Sequence, residues 1–74
     1  MDECEVMWRV PADADAVMQF VGWEHPLPAV VLKLGEVTMT LAPPRNRAEE
    51  IAFARFMVKL AAAARDAAKE VLPL

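Results

Sequence analysis

Apolar and polar positions alternate most clearly between residues 30 and 41. Val30, Leu32 and Leu34 take even positions, and Val37, Met39 and Leu41 take odd ones. The phase flips across Gly35-Glu36. A two-residue loop there pairs Leu34 with Val37, Leu32 with Met39 and Val30 with Leu41, and all six fall on one face. Glycine at the first loop position suits a type II′ turn. Val31, Lys33, Thr38 and Thr40 take the opposite face.

A second alternation covers residues 3–10. Cys4, Val6, Trp8 and Val10 share one side, and Glu3, Glu5, Met7 and Arg9 the other. Period two with β-branched and aromatic residues predicts a half-buried strand, with Trp8 in the core. Pro11 ends it, because proline cannot donate to a ladder. Asp13 or Asp15 then caps a short helix through Val21, whose buried side carries Val17, Phe20 and Val21. Gly22 sits where a helix C-terminal glycine belongs. Trp23 to Pro28 reads as a stiff loop braced by two prolines.

Pro43-Pro44 stops the last strand. Asn46 with Glu49 three residues on resembles a capping box, with Asn in place of Ser or Thr. The good helix formers that follow predict a helix from about Arg47 to about Leu72, with Pro73 beyond its end. The predicted order is therefore β-α-β-β-α. That is a small two-layer α+β sandwich: a three-stranded, mainly antiparallel sheet packed by a long C-terminal helix. Residues 1–74 form a single domain in this reading. The direction of the first strand stays open, since its connection to the second is long enough for either.

The long helix carries more apolar surface than one contact uses. Phe53, Phe56, Met57, Leu60, Ala64, Ala67, Ala68 and Val71 gather on one side, the side expected on the sheet. Arg55, Lys59, Asp66, Lys69 and Glu70 gather roughly opposite. A second stripe, Ile51, Ala54, Val58, Ala61, Arg65, Ala68 and Leu72, follows alternating three- and four-residue steps, the spacing of a helix–helix seam. Read blandly, it widens one buried face. Read sharply, it meets another chain, although Arg65 keeps such a seam from being fully dry. Length favours the sharp reading. A helix of about 25 residues spans ~37 Å, and a compact domain of this length is roughly 30 Å across. A small chain also buries a poor fraction of its surface alone. A C2 homodimer is the commonest closed solution.

Composition strengthens this picture. Of 74 residues, 57% are apolar and 26% charged, with a formal net charge of −3. Such a chain is too apolar for disorder and lacks the basic excess of a simple nucleic-acid binder. Residues 1–24 are net acidic and residues 25–74 net basic, an asymmetry that can steer a partner or be ordinary solvated surface. Abundant alanine, and arginine in excess of lysine, fit a GC-rich bacterial genome. No apolar run approaches the ~20 residues of a membrane span, and the acidic start is unlike a signal peptide. A cytoplasmic location is expected.

The side-chain inventory removes most chemistry. There is no Ser and no Tyr, and Cys4, His25, Asn46 and Gln19 are each the sole residue of their type. Serine catalysis is excluded, and nothing local supports a Cys4–His25 pair. A lone cysteine forms no internal disulfide. Zinc sites need several Cys or His ligands, and an Asp2-Glu3-Cys4-Glu5 site fails because neighbouring strand residues point to opposite faces. Two glycines make no phosphate cradle. No cofactor and no metal are expected, and no enzymatic activity.

Four further residues remain as candidates. Trp23 follows Gly22 in the proline-braced loop and can anchor a partner, with His25 beside it. The alternative is local packing. Glu24 and His25 are adjacent, which makes no catalytic dyad by itself. Arg45 and Arg47 flank Asn46 at a helix N-terminus, where a phosphate or carboxylate can sit. The alternative is a solvated pairing of Arg47 with Glu49 or Glu50.

The expectation is a non-enzymatic protein–protein interaction module, homodimeric and regulatory. Its self- or partner-interface is Ile51, Ala54, Val58, Ala61, Arg65 and Leu72. One alternative is a small-molecule-binding or accessory subunit with a pocket between sheet and helix near Trp8, Met39, Phe56 and Met57. Another is a dimeric DNA-linked regulator with Arg45 and Arg47 on phosphates. Because Asp66 and Glu70 interrupt the basic residues of the helix, nucleic acid is the less favoured partner.

Overall fold

The computed structural model describes residues 3–72. It contains three strands and one helix: β1 (Asp15–Val21), β2 (Leu27–Leu34), β3 (Val37–Leu41) and α1 (Arg47–Val71). The chain divides into two compact units, Met1–Ala42 and Pro43–Leu74, and each is described by itself. Pro73 and Asp2, which figured in the sequence reading, lie outside the described residues.

The first unit holds a three-stranded antiparallel meander in the order β1-β2-β3. The β2–β3 hairpin has the register the alternation predicts: Leu34 opposite Val37, Leu32 opposite Met39, Val30 opposite Leu41. Gly35 has φ +66°, and among the described residues no residue other than glycine has a positive φ. A positive φ at the first loop position and a negative one at Glu36 match the signs of a type II′ turn. The Cβ of an alanine at position 35 would lie 3.7 Å from the Pro11 ring, an ordinary contact, so backbone conformation and not space demands glycine here.

Two elements differ from the expectation. The order is β-β-β-α, not β-α-β-β-α. Residues 3–10 form no regular structure and are exposed. A strand exists only when its N–H and C=O groups find a partner, and alternation alone supplies none. Trp8, expected in the core, is 43% exposed. The segment expected as a short helix is instead β1, paired with β2 from Asp15↔Lys33 to Val21↔Leu27. Seven residues are too few for a helix to hold without tertiary support, and Val17, Phe20 and Val21 favour a pleated surface. Gly22, with φ +107°, begins the β1–β2 turn and caps no helix.

Pairing of β1 also changes which face is apolar. The even face of β2 carries Val30, Leu32 and Leu34, joined across the sheet by Ala16, Met18 and Phe20 of β1. On the other face β1 adds Val17 and Val21 opposite Val31 and Leu27. Among the described residues the two buried apolar side chains, Ala29 (1% exposed) and Val31 (5%), are on this second face. The alternation alone groups Val31 with Lys33, Thr38 and Thr40. Its burial follows from the central position of β2, flanked by Val17 on β1 and Thr40 on β3.

Pro28 lies within β2 opposite Phe20, at the end of the strand that β3 does not reach. The position that would face it is beyond Leu41, where β3 stops. Its missing N–H therefore costs no ladder bond.

The second unit is the helix. Asn46 is its N-cap, in extended conformation, and its side-chain oxygen accepts the Glu49 N–H at 3.0 Å. The Glu50 N–H donates to the Asn46 carbonyl at 2.9 Å. Glu49 and Glu50 lie in the first turn and Lys69 in the last, each at the end of the helix dipole that favours its charge. The Leu72 N–H closes the C-terminus on the Ala68 carbonyl at 2.9 Å. Among the described residues no helix is long and apolar enough to cross a membrane.

Two substitutions test these local devices. Gly35→Ala forces a residue with a Cβ into the left-handed region, and chemical denaturation should show a loss of about 1–2 kcal/mol. Gly35→Asn should recover part of it. Asn46→Ala should cost about 1 kcal/mol through the lost N-cap bond, read as lower helicity and a lower denaturation midpoint.

Candidate functional site

The residues of the second helical stripe are all exposed: Ile51, Ala54, Val58, Ala61 and Arg65 on α1, and Leu72 at its C-cap. Val58, at its middle, is 71% exposed. None of the helix's 25 residues is buried, and Phe56, Leu60 and Val71 of the other apolar stripe are also open. A soluble helix ordinarily hides one apolar side. Here apolar side chains cover a broad arc, with the charged residues Arg55, Lys59, Asp66, Lys69 and Glu70 confined to the remainder.

Trp23 and His25 lie in the β1–β2 turn, where both are exposed. Trp23 is 99% exposed, so the local-packing alternative does not hold for it. The turn is tight. A Cβ on Gly22 would come within 3.4 Å of the His25 carbonyl oxygen, and the +107° φ favours glycine independently of that contact. Gly22 therefore brings the chain back on itself and leaves the indole at the tip.

Arg45 and Arg47 are exposed at the start of α1. A guanidinium nitrogen of Arg47 lies 3.8 Å from a Glu50 carboxylate oxygen, a loose surface pair of small energetic weight. The cap side chain takes the Glu49 N–H that an anion would otherwise use. Cys4 is a free, exposed thiol. Among the described residues no three His, Cys, Asp or Glu side chains converge as a metal would need. A shallow depression in the sheet unit is lined by Val10, Ala14, Asp15, Ala16, Leu32 and Leu34. Its one ionisable group, Asp15, accepts the Ala16 N–H at 2.8 Å.

What the structure brings together and the sequence reading missed is an apolar pair on β1. Met18 and Phe20 are 61% and 62% exposed on the same face of the sheet's outer strand. Reading this segment as a helix put Phe20 on a buried side. Residues 16–21 are apolar except for Gln19, so their pattern alone does not separate strand from helix.

Comparison with known proteins finds no family model, no curated protein and no solved structure that matches the chain.

The exposure of Trp23 yields a direct prediction. Trp23→Ala should change unfolding free energy by less than about 0.5 kcal/mol, as expected of a side chain that touches nothing. It should also remove the more red-shifted, quencher-accessible part of the tryptophan emission, leaving that of Trp8. A large stability loss would place the indole in contacts the turn does not show.

Proposed function

We infer that this protein is a non-enzymatic protein–protein interaction module that works as a homodimer, with a regulatory role in the cytoplasm. One observation carries the reading: α1 runs 25 residues without a buried one while presenting Ile51 and Val58 in a heptad-spaced stripe that ends at the C-cap Leu72. Exposed apolar surface of this extent is costly in water, and on stable proteins it marks a contact. Ala54 and Ala61 between the large residues allow another helix to approach closely. Arg65 sits near the C-terminal part of the stripe, where its stem can lie on apolar surface while its guanidinium reaches water.

The side-chain inventory supports the non-enzymatic half of the proposal. Cys4, His25 and the Arg45–Arg47 pair sit in three separate chain segments, and the exposed His25 has no hydrogen-bonding partner among the described residues. Catalysis needs such groups convergent in a pocket that excludes water. Trp23, at the tip of its turn, is suited to anchor a partner, since a rigid aromatic side chain loses little entropy on docking.

Val58→Asp tests the reading. The side chain is 71% exposed, so a charge there should leave helicity intact. In an apolar contact the same charge should weaken association at least tenfold, about 1.4 kcal/mol. Light scattering across a hundredfold dilution, with circular dichroism as the folding control, reads both. An unchanged dissociation constant would remove the α1 stripe as the self-contact.

A further inference from the structure

The outer edge of β1 is an unprotected pairing surface, and its side chains suit a second copy of itself. The hairpin fixes which backbone groups are free. In the Leu34-Gly35-Glu36-Val37 turn the first carbonyl accepts from the fourth amide, so Leu34 and Val37 direct their backbone groups at each other. Backbone direction alternates along an antiparallel strand. Val30, Leu32 and Leu34 therefore serve β3, and Ala29, Val31 and Lys33 serve β1. On β1, Asp15, Val17, Gln19 and Val21 face β2 through the observed register. Ala16, Met18 and Phe20 are left with their N–H and C=O groups turned outward. An independent contact agrees: the Ala16 N–H is held at 2.8 Å by the Asp15 carboxylate and not by β2. Among the described residues no other backbone group bonds to this edge.

Edge strands are usually blunted by brevity, proline, lysine or a bulge. The other edge, β3, is so protected. It has five residues and runs into Pro43-Pro44, and only Thr38 and Thr40 turn outward along it. β1 has seven residues, DAVMQFV, with no proline and no lysine. Its one stopper is the Asp15 carboxylate at the end.

The geometry points to β1 as a self-pairing strand: two copies join edge to edge, antiparallel, about a two-fold axis at Met18, making one continuous six-stranded sheet. In this register Met18 faces Met18 of the second copy and Ala16 faces Phe20, so the groups that must bond are the ones already turned outward. The side chains agree. Phe20 meets the small Ala16, leaving room for the ring, and the two thioethers meet as adaptable apolar groups. Val17 faces Gln19, and Asp15 faces Val21. No like charges oppose each other, and like charges are what would forbid such a pairing. The exposed apolar face of Met18 and Phe20 becomes the middle of the joined sheet. The Met18 bonds and the Phe20 amides form without disturbing Asp15, and the Ala16 amide exchanges one acceptor for another. This contact uses residues of β1 alone and none of the α1 stripe.

Two measurements test it together. Met18→Lys places like charges directly opposite at the axis. It should raise the self-dissociation constant at least tenfold in the dilution series while circular dichroism stays that of the native protein. In a Cys4→Ala background, Met18→Cys should cross-link two copies under mild oxidation, since directly opposite residues lie within disulfide reach. Ala16→Cys, on the same exposed edge, should not, because its own counterpart would be about 13 Å away along the strand. Equal cross-linking of the two variants, a monomeric native protein across the dilution series, or a Met18→Lys variant that associates normally would each overturn the proposal. Val58→Asp separates the two readings. Dissociation by Val58→Asp alone would favour the α1 contact and overturn this one. Dissociation by Met18→Lys alone would leave the edge and remove α1 as the self-contact.

Discussion

The Gly35 turn is the constraint on which the sheet depends. Its positive φ closes the hairpin in two residues, and that loop length sets Leu34 opposite Val37. A slip by one residue would send Val30, Leu32 and Leu34 to the opposite face from Val37, Met39 and Leu41. The same turn fixes the parity of every backbone group in β2. One set of residues is committed to β3 and the other is left for β1. Through β1 that parity reaches the outer edge, where Ala16, Met18 and Phe20 turn their backbone groups outward, the Ala16 N–H onto the Asp15 carboxylate. A single glycine thus sets which strand edge is available for further pairing.

The helix rests on different physics. Its hydrogen bonds close within the segment, and Asn46 supplies the N-terminal partner for Glu49. Alanine dominates its middle, and alanine loses no side-chain entropy on entering a helix. The segment is therefore inclined to be helical whatever it touches. Its apolar residues do not contribute by being buried, since none is. They are left as solvent-exposed apolar surface. The sheet, with Ala29 and Val31 as its buried pair, likewise leaves Met18, Phe20 and Trp23 to solvent. Both units therefore expose large apolar side chains.

The candidate site was legible in part. The spacing of the α1 stripe is a local property, whereas the exposure of Trp23 depends on Gly22 opening the β1–β2 turn, where the sequence alone suggests a helix end. The β1 edge was not legible while residues 15–21 were read as helix. Val17, Phe20 and Val21 satisfy a helical face and a pleated strand almost equally well over so short a stretch. Residues 3–10 show the converse, a clean alternation without a strand. In both places the local pattern was compatible with more than one conformation, and only long-range pairing selected among them.

The sequence by itself determined the β2–β3 hairpin and its register, the start of the helix at Asn46 and its course to Val71, and the poverty of catalytic side chains. These depend on neighbours within a few residues: a glycine that tolerates positive φ, an asparagine that caps, an alanine-rich run that nucleates. The tertiary structure decided that residues 15–21 extend along β2, that residues 3–10 stay unpaired, that Val31 is buried, and that β1 is left as an open edge. A strand takes its hydrogen bonds from a segment elsewhere in the chain, so its existence is settled by what is available to pair with it.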